Sequence, residues 1–193
     1  MHKTMEVLKK IRIWLEEYSE TGVYEPSSAV LSTIHDNNPT SRVVLVREIN
    51  ENGLVFFTNL KSGKARDIEQ NNKVALNFHF RELKKQIRVE GEAAIIDDLL
   101  ADKYFSSRTR DKQISSWASR QSEILESEVI FEERIKFFED KFADISVPRP
   151  PFWSGYKVIP NYVEFWIEGP DRRHYRNCFI KKNNSWKSFK VYP

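Results

Sequence analysis

The feature that most restricts this fold lies between residues 28 and 96. Five β-rich runs follow one another there, at 28–34, 42–47, 54–58, 74–80 and 87–96. The first gap, 35–40, holds Asp36, Asn37, Asn38 and Pro39, and Asn52-Gly53 marks a hairpin in the second. Connections this short cannot carry a parallel crossover, so the strands are expected to be antiparallel. Such a meander can close into a small barrel, which also removes the exposed sheet edges. The expected fold class is mainly β with α, an antiparallel barrel with peripheral helices.

The flanking segments fit that plan. Leu8, Ile11, Leu15 and Tyr18 recur at helical spacing over 5–18, and Gly22 and Pro26 break the pattern. Ser62 can cap a short helix over 64–70 that ends at Asn71-Asn72. Asp97 can cap another that runs to about Arg108. A further helix is expected over 125–142, with Val129, Ile130, Ile135, Phe138 and Phe142 as its apolar face, before Pro148, Pro150 and Pro151. Strands at 162–167 and 177–182, a turn at Asn183-Asn184 and a last strand at 186–191 complete the chain. No repeat or low-complexity linker interrupts it, so residues 1–193 are expected to form one domain, with 1–22 as an N-terminal helical segment.

Composition excludes several classes. A mean hydropathy of -0.59, no apolar run of membrane-spanning length and no signal-peptide pattern at the N-terminus predict a soluble, cytoplasmic protein. Cys178 is the single cysteine, which rules out an intrachain disulfide. His2, His35, His79 and His174 show no ligand spacing, so no metal site is expected. A net charge of only +3 argues against nucleic acid as a partner. No dinucleotide-binding, P-loop or nucleophile-elbow motif occurs.

What remains is a distribution of cations: Arg42 and Arg47, Lys61 and Lys64, Arg108, Arg110 and Lys112, and Arg172, Arg173 and Arg176. A lone arginine at a strand end is ordinarily just a solvated charge. Tyr104, Arg108 and Lys112, however, are each four apart. If one helix carries all three, a hydroxyl and two cations share a face suited to a phosphate monoester. Arg172, His174 and Arg176 are each two apart and share a face if that segment is extended, with Arg173 and Tyr175 on the other.

Several stretches in order give these cations a context. They are Ser41-Arg42-Val-Val-Leu-Val-Arg47, Gly53-Leu-Val-Phe-Phe-Thr-Asn-Leu60, Lys64-Ala65, Gln86, Tyr104-Phe-Ser-Ser-Arg108, Ser119-Arg-Gln-Ser122, and 163–176 ending in Arg172-Arg-His-Tyr-Arg176. Together they resemble the pyridoxamine 5′-phosphate oxidase family over about 24–193. The resemblance implies a split-barrel flavoprotein homodimer with FMN between the subunits, the strands of 160–193 serving dimerisation and substrate binding. Carried over by position, Arg42, Val43, Val44, Leu45, Val46, Arg47, Phe57 and Thr58 would line the FMN, and Lys64 would reach its phosphate. Gln86 would bond the flavin ring, while Gln121, Ser122, Trp166 and Arg176 would come from the partner subunit. Arg47, Tyr104, Arg108 and Lys112 would hold the substrate phosphate, and Arg172 and His174 would cover the pyridine ring as the catalytic pair. The implied reaction oxidises pyridoxamine or pyridoxine 5′-phosphate with dioxygen as final acceptor, releasing hydrogen peroxide.

Four positions depart from the family pattern. Arg47 stands where lysine is usual, Gly63 where arginine precedes Lys64, Lys112 where serine is usual, and Arg173 where an aliphatic residue is usual. Glycine at position 63 has no side chain to offer a phosphate, and Lys61 is the candidate to supply that cation instead. Ser119–Leu125, Pro148–Pro151 and Met5–Leu8 also resemble a phenazine-biosynthesis branch of FMN oxidases, which needs no phosphate grip. A split barrel that binds FMN or haem without turnover is a further alternative.

Overall fold

The structure is a computed structural model describing residues 2–183 and 185–193, with side chains from residue 6 onward. Asn184 and the side chains of His2 and Met5 lie outside the described residues. Helix α1 (His2–Ser19) is followed by β1 (Ser28–His35), β2 (Asn38–Asn50), β3 (Gly53–Asn59), α2 (Gly63–Gln70), β4 (Lys73–Phe80) and β5 (Lys85–Ile95). Then come α3 (Asp98–Ser106), α4 (Arg110–Ala118), α5 (Glu128–Lys141), β6 (Trp153–Ile167), β7 (Tyr175–Lys182) and β8 (Ser185–Lys190).

The strands form one antiparallel sheet in the order β3-β2-β1-β4-β5-β6-β7-β8, and β3 also pairs with β6. That last pairing closes six strands into a barrel. The turn between β1 and β2 narrows to Asp36 and Asn37, both at positive φ, the geometry a two-residue hairpin demands. Gly53 is the first residue of β3 and not the turn itself. It has φ 151, and a Cβ there would stand 2.3 Å from the Val158 carbonyl oxygen.

Strand β6 makes the barrel split. Residues 153–158 pair with β3, and residues 162–167 leave β3 behind and pair with β7. β5 follows β6 along both halves, with a register shift between Glu90 and Gly91 at Asn161. A Cβ at Gly91 would meet the Ile159 carbonyl oxygen at 2.3 Å, so only glycine admits this close strand approach. β6 begins at Trp153, nine residues before the expected start. Gly155 and Pro160 read as breakers in sequence, but both are accommodated, Pro160 beside the bulge.

The barrel interior holds Leu31, Leu54, Phe56, Leu76, Phe78, Phe80, Ile87, Val89, Val158, Val163 and Phe165, all buried. Helix α1 lays Val7, Leu8, Ile11, Trp14 and Tyr18 onto this core. A smaller cluster of Phe105, Ile114, Phe142, Val147 and Trp153 ties α3 and α4 to β6. The structure corrects two helices. The one capped by Asp97 ends at Ser106, and a separate α4 begins after Thr109. Helix α5 buries none of its own residues, and Val129 and Ile130 are exposed; it meets the body through Arg134, which donates to the Ala118 carbonyl at 2.7 Å, and through half-buried Ile135 and Phe138. Among the described residues no helix is long and apolar enough to cross a membrane, and no cluster of His, Cys, Asp and Glu could hold a metal ion.

Candidate active site

A gap between two strands makes the main cavity. β2 pairs with β3 only from Val46 onward, while β3 residues 57–59 pair with β6. The β2 edge at 38–45 therefore has no strand partner on that side. Arg47 sits at the register shift between Val46 and Glu48, a bulge that re-aims its side chain. The space between the splayed strands is a cavity of about 820 Å³, lined by Val43, Val44 and Leu45 on one wall and Phe57, Thr58 and Asn59 on the other. Tyr104, Ser107, Arg108 and Lys112 cover it from α3, α4 and the turn between them.

Two cationic groups enter this cavity. The first is Lys64, whose ammonium donates to Thr58 Oγ1 and Ser62 Oγ at 3.1 Å each and to Gln121 Oε1 at 3.4 Å. Burial, reinforced by the nearby Arg42 charge, pushes its pKa down to about 8. The second group is Arg47, Arg108 and Lys112. Arg108 is held by a 2.6 Å bond to Ser116 Oγ and lies 4.9 Å over the Trp153 ring. Burial lowers its pKa, and the Arg47 charge adds to the effect, with Tyr104 opposing. Tyr104 stacks on Phe57 with ring centroids 3.8 Å apart. Arg47 forms a forked pair with Glu25 at 3.0 and 3.1 Å. Burial pulls the Arg47 guanidinium down, but Glu25 and Tyr104 outweigh it and leave it raised.

The Tyr104, Arg108 and Lys112 row is not one helix face, because the helix breaks at Ser107 and restarts after Thr109. The three residues still line one cavity, brought there by the turn. Arg42 does not line it: its guanidinium donates to Thr33 Oγ1 at 2.6 Å and Thr40 Oγ1 at 2.8 Å, and reaches Asp67 at 3.4 Å. Asp67 is 3% exposed. Burial would raise its carboxyl, but bonds from Thr33, His35 and Thr40 hold it below the usual range. Val46 is buried in the barrel core. Lys61 does not reach the cavity either, its ammonium lying 5.4 Å over the Phe152 ring. Gln121, expected from a partner, meets Lys64 and lines the cavity within the same chain, and Ser122 lies beside Gly63.

The remaining candidates gather elsewhere. Gln86, Trp166 and Arg176 are register partners across β5, β6 and β7, so they stand side by side on one face. His174 lies 4.7 Å from the Trp166 ring and accepts from the Gly169 N–H at 3.3 Å. Arg172 is exposed. It is not in an extended segment, because Pro170–Arg172 is a single 3₁₀ turn with Asp171 and Arg172 at φ 52 and 61. Alternation along the chain therefore holds only from Tyr175 onward. None of these five residues lines the 820 Å³ cavity. Arg176 is anchored on Glu164, 1% exposed, by bonds of 2.6 and 3.0 Å. Sequence reasoning missed Glu25, Asp67, Ser116 and Glu164. Their types are common, and only the fold brings them against the cations.

Comparison with known proteins agrees with this architecture. Residues 15–140 match the profile of the family described as pyridoxamine 5′-phosphate oxidase. Residues 153–193 match that of the pyridoxine 5′-phosphate oxidase C-terminal dimerisation region. The pyridoxine/pyridoxamine 5′-phosphate oxidase of Rubrobacter xylanophilus is 42% identical over 181 residues, covering 93% of this chain and 83% of that protein. The enzyme of the same name from Anaplasma phagocytophilum is 42% identical over 184 residues, covering 94% and 89%. Among solved structures, PhzG from Burkholderia lata, in complex with tetrahydrophenazine-1-carboxylic acid, superposes with a TM-score of 0.90 at 27% identity, covering 96% of this chain and 91% of that one. A pyridoxamine 5′-phosphate oxidase-related, FMN-binding protein from Nostoc punctiforme shares the fold, with a TM-score of 0.76 at 17% identity over 95% and 96%. With both halves of the sheet matched and two-fifths of the residues shared with such relatives, this chain belongs to the pyridoxamine 5′-phosphate oxidase family.

Proposed function

We propose that this protein is an FMN-dependent oxidase of pyridoxamine or pyridoxine 5′-phosphate that works as a homodimer. The observation that carries this reading is the division of candidate residues into two separate groups in one chain. One is the cavity between β2 and β3 with its two cationic groups. The other is the Gln86, Trp166, Arg176 and His174 face. A two-fold axis that brings the second group of one chain over the cavity of its partner makes a complete site. The match of 153–193 to a dimerisation region supports such an assembly.

The residues fit FMN. The unpaired β2 edge offers backbone donors and acceptors to a flat heteroaromatic ring, and Val43, Val44, Leu45 and Phe57 give it apolar walls. Lys64 and the hydroxyls of Thr58 and Ser62 suit its phosphate. FMN supplies, when bound, the two-electron acceptor that dioxygen regenerates. Arg47, Arg108 and Lys112 provide a second anion site in the same cavity, which suits a phosphorylated substrate. Stacked Tyr104 and Phe57 give that site a rigid floor. The protein's task is then to hold two rings in register and exclude water. Arg172 and His174 from the partner cover the substrate ring in this reading, and Gln86, Trp166 and Arg176 complete the flavin contacts.

A second reading has a specific observation behind it: the superposition on PhzG, whose structure holds tetrahydrophenazine-1-carboxylic acid, supports a phenazine-type oxidation as the alternative. The three cations around the second anion site favour a phosphate ester. The test is an oxidase assay on purified, FMN-supplemented protein with pyridoxamine 5′-phosphate, following the aldehyde product and hydrogen peroxide. Turnover supports the first reading. An FMN-loaded protein that ignores this substrate and oxidises a tricyclic dihydroaromatic acid supports the second.

A further inference from the structure

The cation expected to hold the substrate phosphate is already engaged. Arg47 presents its guanidinium edge-on to Glu25, and both terminal nitrogens donate to its carboxylate, at 3.0 and 3.1 Å. This is the forked geometry in which an arginine would receive a phosphate. The point-like ammonium of a lysine makes no such fork, so the pair depends on arginine at position 47. Glu25 also lines the cavity and is the sole acid among the described residues that do, against Arg47, Lys64, Arg108 and Lys112. A carboxylate there lowers the positive potential that the other four side chains create.

The backbone of Glu25 is unusual as well. It lies at φ 55, a left-handed conformation that an L-residue with a side chain rarely adopts, and it immediately precedes Pro26. Its carbonyl accepts from the Ser28 N–H at 3.0 Å, which fixes the turn into β1. Tyr24, next to it, is 90% exposed. The short connection between α1 and β1 therefore points one carboxylate, from a backbone position in the left-handed region, at one cavity arginine.

We propose that Glu25 is an internal anion that occupies the Arg47 fork until a phosphate monoester displaces it, and so selects dianionic phosphate over single carboxylates. This rests on the reading of Arg47, Arg108 and Lys112 as a phosphate site. A tethered carboxylate competes at an effective concentration of millimolar order or above. A free carboxylate has the same chemistry as Glu25 and gains nothing by replacing it. A phosphate dianion carries more charge and a third oxygen, which Arg108 and Lys112 can also engage.

The experiment uses FMN-loaded protein and two probes, inorganic phosphate followed by 31P NMR line broadening and acetate followed by 1H NMR. Glu25→Gln removes the charge. Glu25→Gly removes the side chain and suits φ 55, so it guards against a folding defect in the first variant. Both variants are expected to bind phosphate up to about fivefold more tightly than wild type, and Glu25→Gly is expected to bind acetate where wild type does not. Phosphate binding unchanged or weakened in both variants, while Arg108→Ala still abolishes it in wild type, overturns the gate and leaves the phosphate site standing. Phosphate binding that is absent from wild type and both variants overturns the gate and the phosphate site together.

Discussion

Replacing Glu164 by alanine isolates the interaction that anchors the β6–β7 face. Its carboxylate accepts from Arg176 Nε at 2.6 Å, Arg176 Nη2 at 3.0 Å, Arg88 Nη1 at 3.2 Å and Tyr162 Oη at 3.1 Å. Breaking a fully buried ion pair from one side costs about 3–5 kcal/mol. Here the Arg176 and Arg88 side chains keep 27% and 44% of their surface in water, so solvent replaces part of the missing pairing. The expected loss is about 2–3 kcal/mol, which for a chain of this length lowers Tm by roughly 4–12 °C. The loss carries a pH signature. Burial alone would raise the Glu164 carboxyl, but Arg176, Tyr162 and Arg88 outweigh it and hold it below the ordinary range. A carboxyl lowered in the folded state adds stability that is fully present above its unfolded value of about 4.3. That stability is lost as pH falls through the folded value. Thermal unfolding followed by circular dichroism from pH 7 down into the acid range reads both effects. The gap between wild type and Glu164→Ala is expected to be widest near neutrality and to close in acid. A gap below about 1 °C at pH 7, or one that stays constant into acid, refutes the argument that this carboxylate works as a buried anion.

Three further outcomes are expected. Because Lys64 titrates near 8, its charge fades from about pH 7 to 9, so FMN affinity measured by flavin fluorescence quenching falls over that range; Lys64→Arg, always charged, flattens the profile. Gly63→Arg restores a cation beside Lys64, and since a Cβ there meets only the Ser122 side chain at 3.7 Å, the variant folds and binds FMN about tenfold more tightly by equilibrium dialysis. Arg172→Ala, on the exposed turn before β7, lowers kcat about a hundredfold while the purified protein keeps its flavin absorbance; unchanged turnover removes Arg172 from the site.

Much of the architecture was legible because it rests on local rules. Period-two runs, two-residue turns and the helical spacing of Leu8, Ile11, Leu15 and Tyr18 are properties of neighbouring residues. The split of β6 was not legible, because Pro160 and Gly155 are breakers locally; Pro160 becomes tolerable opposite Gly91 and its bulge on β5, and Gly155 where β3 passes so close that a Cβ would stand 2.7 Å from the Phe56 carbonyl oxygen. Helix α4 was missed because it is nine residues long with few apolar positions, and the four-apart spacing of Tyr104, Arg108 and Lys112 ran straight across the Ser107–Thr109 break. In the site, the spacing of Tyr104, Arg108 and Lys112 would suit one continuous helix; the structure breaks it at Ser107, yet the turn brings all three into one cavity.

By itself the sequence determined the antiparallel sheet, the supply of cations and the family pattern, since alternation, turn chemistry and ordered motifs are written in residue order. The tertiary structure alone decided which cations are available. Arg42 is paired with Asp67, Arg176 with Glu164 and Arg47 with Glu25, partners separated by 25, 12 and 22 residues. The physical reason is that a side chain's charge is a local property, whereas its partner and its exposure to water depend on which distant strand or turn the closed barrel places beside it.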